Sequence, residues 1–244
     1  MNIITRNIPN AITSLNLLSG IAGILCVFSG RLDISFLLMI AAAVFDFFDG
    51  LAARALGAYS PMGKELDSLA DSVSFGLLPA LMLHKLMIQL GEETTFWCYV
   101  PLVIALFSVL RLAKFNVDER QSENFIGLAT PASAMICGSL TYYLLHQSDS
   151  FMIPLAAGHV FIPTLSIVLS ALMVSEIPMF SLKVKKGTSK DSPLYRQRIS
   201  FFGTVVVAAV LVMTLGLNWS MIVLLSFLAY IIINLLSRPL FGKQ

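Results

Sequence analysis

Residues 34–86, ISFLLMIAAAVFDFFDGLAARALGAYSPMGKELDSLADSVSFGLLPALMLHKL, decide the fold. Two apolar stretches, 34–54 and 65–86, flank a short polar joint, and each is close to the roughly 20 residues that an α-helix needs to cross a bilayer. The joint is too short for anything but a turn, so the two stretches form an antiparallel hairpin. Four aspartates sit where the apolar stretches meet that joint. An acid inside a membrane span is expensive and marks a functional position by default.

The same pattern extends along the chain. Hydrophobic residues make up 57% of the sequence and charged residues 12%, against about 25% charged in a soluble domain, and the mean hydropathy is +0.84. The apolar runs predict spans near 11–29, 34–54, 65–86, 96–116, 129–146, 158–180, 199–216 and 219–237. The expected fold is therefore an all-α integral membrane protein of about eight transmembrane helices, with no soluble domain left over. The first run lacks a small-residue cleavage pattern and is expected to remain as a span rather than leave as a signal.

Basic residues give the orientation. With the N-terminus inside, 14 of the 16 lysines and arginines fall on inside joints, and only Arg31 and Lys85 fall outside. The outside joints also hold Asp33, Glu92, Glu93 and Asp149. Both termini are thus expected on the cytoplasmic side of the cell (inner) membrane. The longest joint carries Lys183, Lys185, Lys186, Lys190, Arg196 and Arg198, and reads either as a loop against anionic headgroups or as a solvated topology signal. Cys26, Cys98 and Cys137 lack metal-ligand spacing and are expected to pack. His84, His146 and His159 do not cluster in the sequence and receive no chemistry.

The aspartates do receive one. Asp46 and Asp49 are three apart, Asp67 and Asp71 four apart, so each pair shares a helical face, about 4.5 and 6 Å apart along the axis. In a hairpin, Asp49 faces the depth of Asp67, and Asp46 that of Asp71. Four uncompensated carboxylates would repel, so they must be protonated, paired with bases or bound to cations. Oxygen-only ligands favour Mg²⁺ or Mn²⁺ over zinc. Two such ions can clamp a pyrophosphate and stabilise attacking and leaving oxygens during in-line displacement at phosphorus. No Ser, Cys or His constellation suggests a covalent intermediate, which favours direct attack by an acceptor.

Residues 46–71 carry D-x2-D-G-x2-A-R-x8-G-x3-D-x3-D at Asp46, Asp49, Gly50, Ala53, Arg54, Gly63, Asp67 and Asp71. This is the signature of the CDP-alcohol phosphotransferase family, and a chance match has a probability on the order of 10⁻⁸. The resemblance implies a six-helix catalytic core, usually dimeric, that joins a phospho-group from a CDP-linked donor to an alcohol and releases CMP. The expected division is a core at 1–182, a basic cytoplasmic loop at 183–198 and a two-helix extension at 199–244. By the same resemblance Asp46, Asp49 and Asp67 are metal ligands for two ions per site, and Asp71 completes the site and serves as the base. Gly50 lets the nucleotide approach the backbone, with Ala53 beside it; Arg54 is a nucleotide- or phosphate-side cation, and Gly63 opens the third helix. Which aspartate is the base does not follow from spacing.

Softer stretches resemble the serine-accepting branch of the family, which joins CDP-diacylglycerol to L-serine: RNIPNAITSLNLLSG, ELDSLADSVSFGLLPA, RLAKFNVD and VSEIPMFSLK. FIGLATPASA is similar to the branch pattern GLP-x-PA, with Ala129 and Thr130 in its middle. Asn10, Thr13 and Asn16 recur every three residues on one face of the first helix, in a region that borders the cytidine in this family; the plainer reading is capping by Asn10 followed by polar packing. Arg111, Lys114 and Asn116 end the fourth helix on the same side and could hold the lipid phosphate or the serine carboxylate, or serve as positive-inside anchors. Membrane lipids are expected partners and nucleic acid is not. Glycerol 3-phosphate or an inositol phosphate is the competing acceptor. A cation- or proton-coupled transporter is the competing class, although the repeated halves of many transporters are not seen here.

Overall fold

The computed structural model describes residues 3–91, 94–118, 125–147, 149–180 and 193–236. The hairpin is as expected: α1 (Ile3–Phe28) packs along α2 (Leu32–Leu56), and α3 (Pro61–Asp71) returns antiparallel to α2. Gly57, at φ 61°, ends α2 with its N–H and that of Ala58 turned back onto the last carbonyls. Ser60 then caps α3, its Oγ accepting from Gly63 N–H at 3.0 Å, with Pro61 at the first helical position. Four residues therefore suffice to reverse the chain.

The return span is not a uniform helix. Directly after Asp71 it widens to a π-helical stretch, Ser72–Leu77, before continuing as α4 (Leu78–Leu90). Such π turns inside α-helices are frequent at functional sites. The fourth span opens as a tighter 3₁₀ segment, Phe96–Leu102, which contains Pro101, and continues as α5 (Val103–Val117). Next come α6 (Thr130–His146), a short α7 (Met152–Ala157), α8 (Phe161–Val174), α9 (Pro193–Thr214) and α10 (Ser220–Leu236). Among the described residues, five helical stretches are long and apolar enough to cross a membrane: 7–28, 32–56, 61–90, 96–117 and 197–214. Phe161–Val174 and Ser220–Leu236 are shorter apolar helices. α6 is the central strut, with 13 of its 17 residues buried.

Three span boundaries differ from expectation. α1 begins at Ile3 rather than near 11, so Asn10 lies within the helix and does not cap it. α9 begins at Pro193, inside the stretch expected to be loop, because proline is tolerated at a first helical turn. The expected span 158–180 ends as helix at Val174. Ser175 is extended, and Pro178–Met179 (β2) pairs antiparallel with Phe125–Ile126 (β1), Phe125 opposite Met179. Proline favours an extended residue before it, which carries the chain out of the helix ahead of Pro178. This ladder of two residues per strand is a local feature of a chain that is all-α as expected. Lys183, Lys185, Lys186 and Lys190 of the basic joint lie outside the described residues.

The ladder also closes the end of α8. Gly127 N–H donates to Ile177 O and Leu128 N–H to Leu172 O, each at 2.9 Å. Gly127 has φ +77°, and an added Cβ would collide with Met173 O and stand 2.9 Å from Ser175 O. Gly127→Ala therefore meets both a left-handed backbone and a wall of carbonyls. It should destabilise the protein by about 2 kcal/mol, read as a lowered thermal midpoint in detergent.

Candidate active site

The carboxylates meet at the α2–α3 turn. Ligand oxygens of Asp46, Asp49 and Asp67 lie within 4.8 Å of one another. Asp49 is the most deeply placed, 6% exposed, while Asp46 and Asp67 are half-buried. The donor set is carboxylate oxygen only, with no His or Cys in the cluster, which fits a hard divalent cation. The geometry thus groups three aspartates where spacing alone offered two facing pairs.

Asp71 stands apart from the three. It is 8% exposed, and Asn16 Nδ2 donates to its Oδ1 at 3.1 Å. It remains in the electrostatic field of Asp46, Asp67 and Asp49. Asn16 is pinned in turn, since its backbone carbonyl accepts from Ser74 Oγ of the π turn at 3.1 Å. The π turn thus places Ser74 where it locks the residue that holds Asp71.

Two of the three polar residues of the α1 stripe, Thr13 and Asn16, donate to the carboxylates, while Asn10 lies against the start of α3. Thr13 Oγ1 lies 2.6 Å from Asp49 Oδ2 and donates to it, with Pro9 O a second acceptor at 3.0 Å. Hydrogen bonds to a charged group contribute about 1.5–3 kcal/mol. Thr13→Val keeps the side-chain volume and removes the donor. It should lower kcat/KM for the CDP-linked donor about tenfold, measured by CMP release.

A cleft of about 470 Å³ opens beside this cluster. It brings together Asn10, Thr13, Asp49, Gly50, Ala53, Gly63 and Asp67, seven of the expected site residues. Asp46, Asn16 and Asp71 are not in its lining, and Asn16 faces Asp71 instead. Arg54 is exposed, its Nη1 3.7 Å from where a Gly50 Cβ would stand, so it reaches across the glycine at the rim. At Gly63 a Cβ would stand 2.9 Å from Asn10 Oδ1 and 3.0 Å from Ser60 Oγ, so a larger residue would displace these two side chains. Sequence reasoning missed Pro9, Ala58, Tyr59, Ser60, Pro61 and Lys64 in the lining. The Ser60-Pro61 pair was a legible helix start and could have pointed to that wall.

The three residues at the end of α5 separate by role. Arg111 is 6% exposed, so it is no solvated anchor; its guanidinium lies 5.7 Å over the Phe115 ring, and its Nε has no partner among the described residues. Lys114 pairs with Glu176 at 3.6 Å near the surface. Asn116 ties α5 to α3, donating from Nδ2 to Ser68 Oγ at 2.9 Å while its carbonyl accepts from Lys64 Nζ at 3.0 Å.

An oxygen-only acidic cluster beside a cleft in a membrane bundle is the donor set that a divalent-metal phospho-transfer site would need. The family model for CDP-alcohol phosphatidyltransferase matches residues 6–172, and the chain belongs to that family. The CDP-diacylglycerol--serine O-phosphatidyltransferase of Bacillus subtilis (strain 168) is 33% identical over 135 residues, 55% of this chain and 75% of its own length. The enzyme of the same name from Mycobacterium leprae (strain TN) is 32% identical over 215 residues, 83% of this chain and 67% of its own length. The archaetidylserine synthase of Methanothermobacter thermautotrophicus is 33% identical over 172 residues, 70% of this chain and 68% of its own length.

Proposed function

We propose that the protein transfers the phosphatidyl group of CDP-diacylglycerol to the hydroxyl of L-serine, giving phosphatidylserine and CMP. The observation that carries this reading is the pairing of two carboxylate environments. One is the three-aspartate cluster at the cleft, and the other is the separately held, buried Asp71. The names of the serine-transferring relatives support serine as the acceptor.

In this reading Asp46, Asp49 and Asp67 hold two divalent ions, Mg²⁺ or Mn²⁺, with Asp71 at the edge of the set. Bound there, the ions supply charge neutralisation to the donor pyrophosphate. The cleft wall of Asn10, Gly50, Ala53 and Gly63 seats the cytidine diphosphate, with Arg54 over its phosphates. Asp71 takes the proton from the serine hydroxyl. The serine oxygen forms its bond to the phosphorus bearing the diacylglycerol, the bridging P–O bond breaks, and CMP leaves with that electron pair. Asn16 holds Asp71 in place for that transfer. Arg111 meets the serine carboxylate, and Lys114 and Asn116 border the lipid phosphate.

The placement of the cluster at a helix end supports a site opening to the cytoplasmic leaflet, where lipid enters sideways and serine enters from water. The proposed organisation is a core at 1–182, a basic loop at 183–198 and a two-helix extension. It crosses the inner membrane eight times as a homodimer, with both termini cytoplasmic. The test is CMP release by purified protein in detergent with CDP-diacylglycerol and Mg²⁺ or Mn²⁺, comparing L-serine, glycerol 3-phosphate and inositol phosphate. Release that depends on L-serine is expected. Release only with another alcohol would move the acceptor and leave the chemistry, and release with none would reject the enzyme reading.

A further inference from the structure

The last two helices lie beyond residues 6–172, the part matched by the family model. α10 nevertheless reaches the end of the bundle where Arg111 sits. Tyr230 Oη donates to Phe180 O at 3.0 Å, and Asn234 Oδ1 accepts from Phe180 N–H at 2.8 Å. Asn234 Nδ2 donates back to Tyr230 O at 2.7 Å. Both backbone polar groups of Phe180 are therefore held by two residues four apart on one face of α10. The Phe180 ring packs 5.0 Å from that of Tyr230 and 6.1 Å from that of Phe201 on α9.

Short connections link the held segment to α5. Phe180 follows β2 directly, and β2 is paired with β1. Four residues before Phe180, Glu176 pairs with Lys114 of α5 at 3.6 Å. Tyr230 and Asp71 are both electrostatic neighbours of Arg111. Arg111 is buried, yet its Nε has no partner among the described residues. A buried donor left unmade is costly. An incoming carboxylate would satisfy it, and planar guanidinium forks suit that ligand.

We propose that Tyr230 and Asn234 are positioning residues for the acceptor: by holding the 178–180 segment to α10, they set Arg111 where it meets the carboxylate of the incoming amino acid. This rests on the serine reading above. It gives α9 and α10 a part in the reaction that a membrane anchor would not have. An anchor would influence how much folded protein there is, whereas a positioning element changes how strongly one of two substrates is held.

The experiment measures CMP release by the full-length protein while L-serine and CDP-diacylglycerol are varied in turn, for wild type, Tyr230→Phe and Asn234→Leu. Tyr230→Phe keeps the ring packed on Phe180 and removes only the hydroxyl, so it remains informative even where Asn234→Leu fails to fold. The KM for L-serine is expected to rise about five- to tenfold, with the KM for CDP-diacylglycerol changed by less than about twofold, the size of one lost hydrogen bond. A serine KM within about twofold of wild type in Tyr230→Phe overturns the proposal. So does a parallel rise in both KM values. Wild-type CMP release that ignores L-serine would overturn the serine reading itself, and this inference with it.

Discussion

Asp71→Asn should reduce serine-dependent CMP release by about 10³-fold, within the range that a positioned general base contributes. The substitution is nearly isosteric. It leaves Asn16 a carbonyl oxygen to donate to at the 3.1 Å contact, so the packing of α1 against the return span should survive. The protein should therefore purify in wild-type yield with an unchanged thermal midpoint. The KM for CDP-diacylglycerol should also be little changed, since Asp71 does not line the cleft proposed for the nucleotide. A loss confined to kcat would mark Asp71 as the proton acceptor. A loss appearing as weakened donor binding would assign it to the donor-binding side, with the three clustered aspartates.

Removal of metal should abolish turnover and also loosen the fold. Asp46, Asp49 and Asp67 bring their oxygens within 4.8 Å of one another, and without a counter-charge they repel. EDTA should stop CMP release, and Mg²⁺ or Mn²⁺ should restore it. A metal held at about 100 times its Kd stabilises the folded state by about 2.7 kcal/mol, so the thermal midpoint should rise on metal addition. Asp49→Asn should erase that rise and reduce kcat/KM by about 10³-fold, because Asp49 is the most buried member and the one Thr13 orients. A mutant that still gains thermal stability from Mg²⁺ would place the ion elsewhere.

These two experiments separate roles that the sequence merges. The motif lists four aspartates with the same letter, and a helical repeat makes their pairs look equivalent. The tertiary structure distinguishes them by what touches them: Thr13 at Asp49, 36 residues away, and Asn16 at Asp71, 55 residues away. A three-residue polar repeat in α1 hinted that something polar faced that way. It did not say which carboxylate each residue would meet, because that depends on the rotation and offset of α1 against α2 and the return span.

The sequence by itself determined the membrane-spanning helices, the α2–α3 hairpin and its acidic cluster. Each of these follows from local quantities: run length against bilayer thickness, a cap and a proline at the turn, and spacing against the helical repeat. Only the tertiary structure decided the π turn after Asp71, the extended exit of α8 into the β1–β2 ladder, and the grip of Tyr230 and Asn234 on Phe180. Those features satisfy backbone groups with partners far along the chain. The identity of such partners is fixed by how the helices pack and not by any residue's neighbours in sequence.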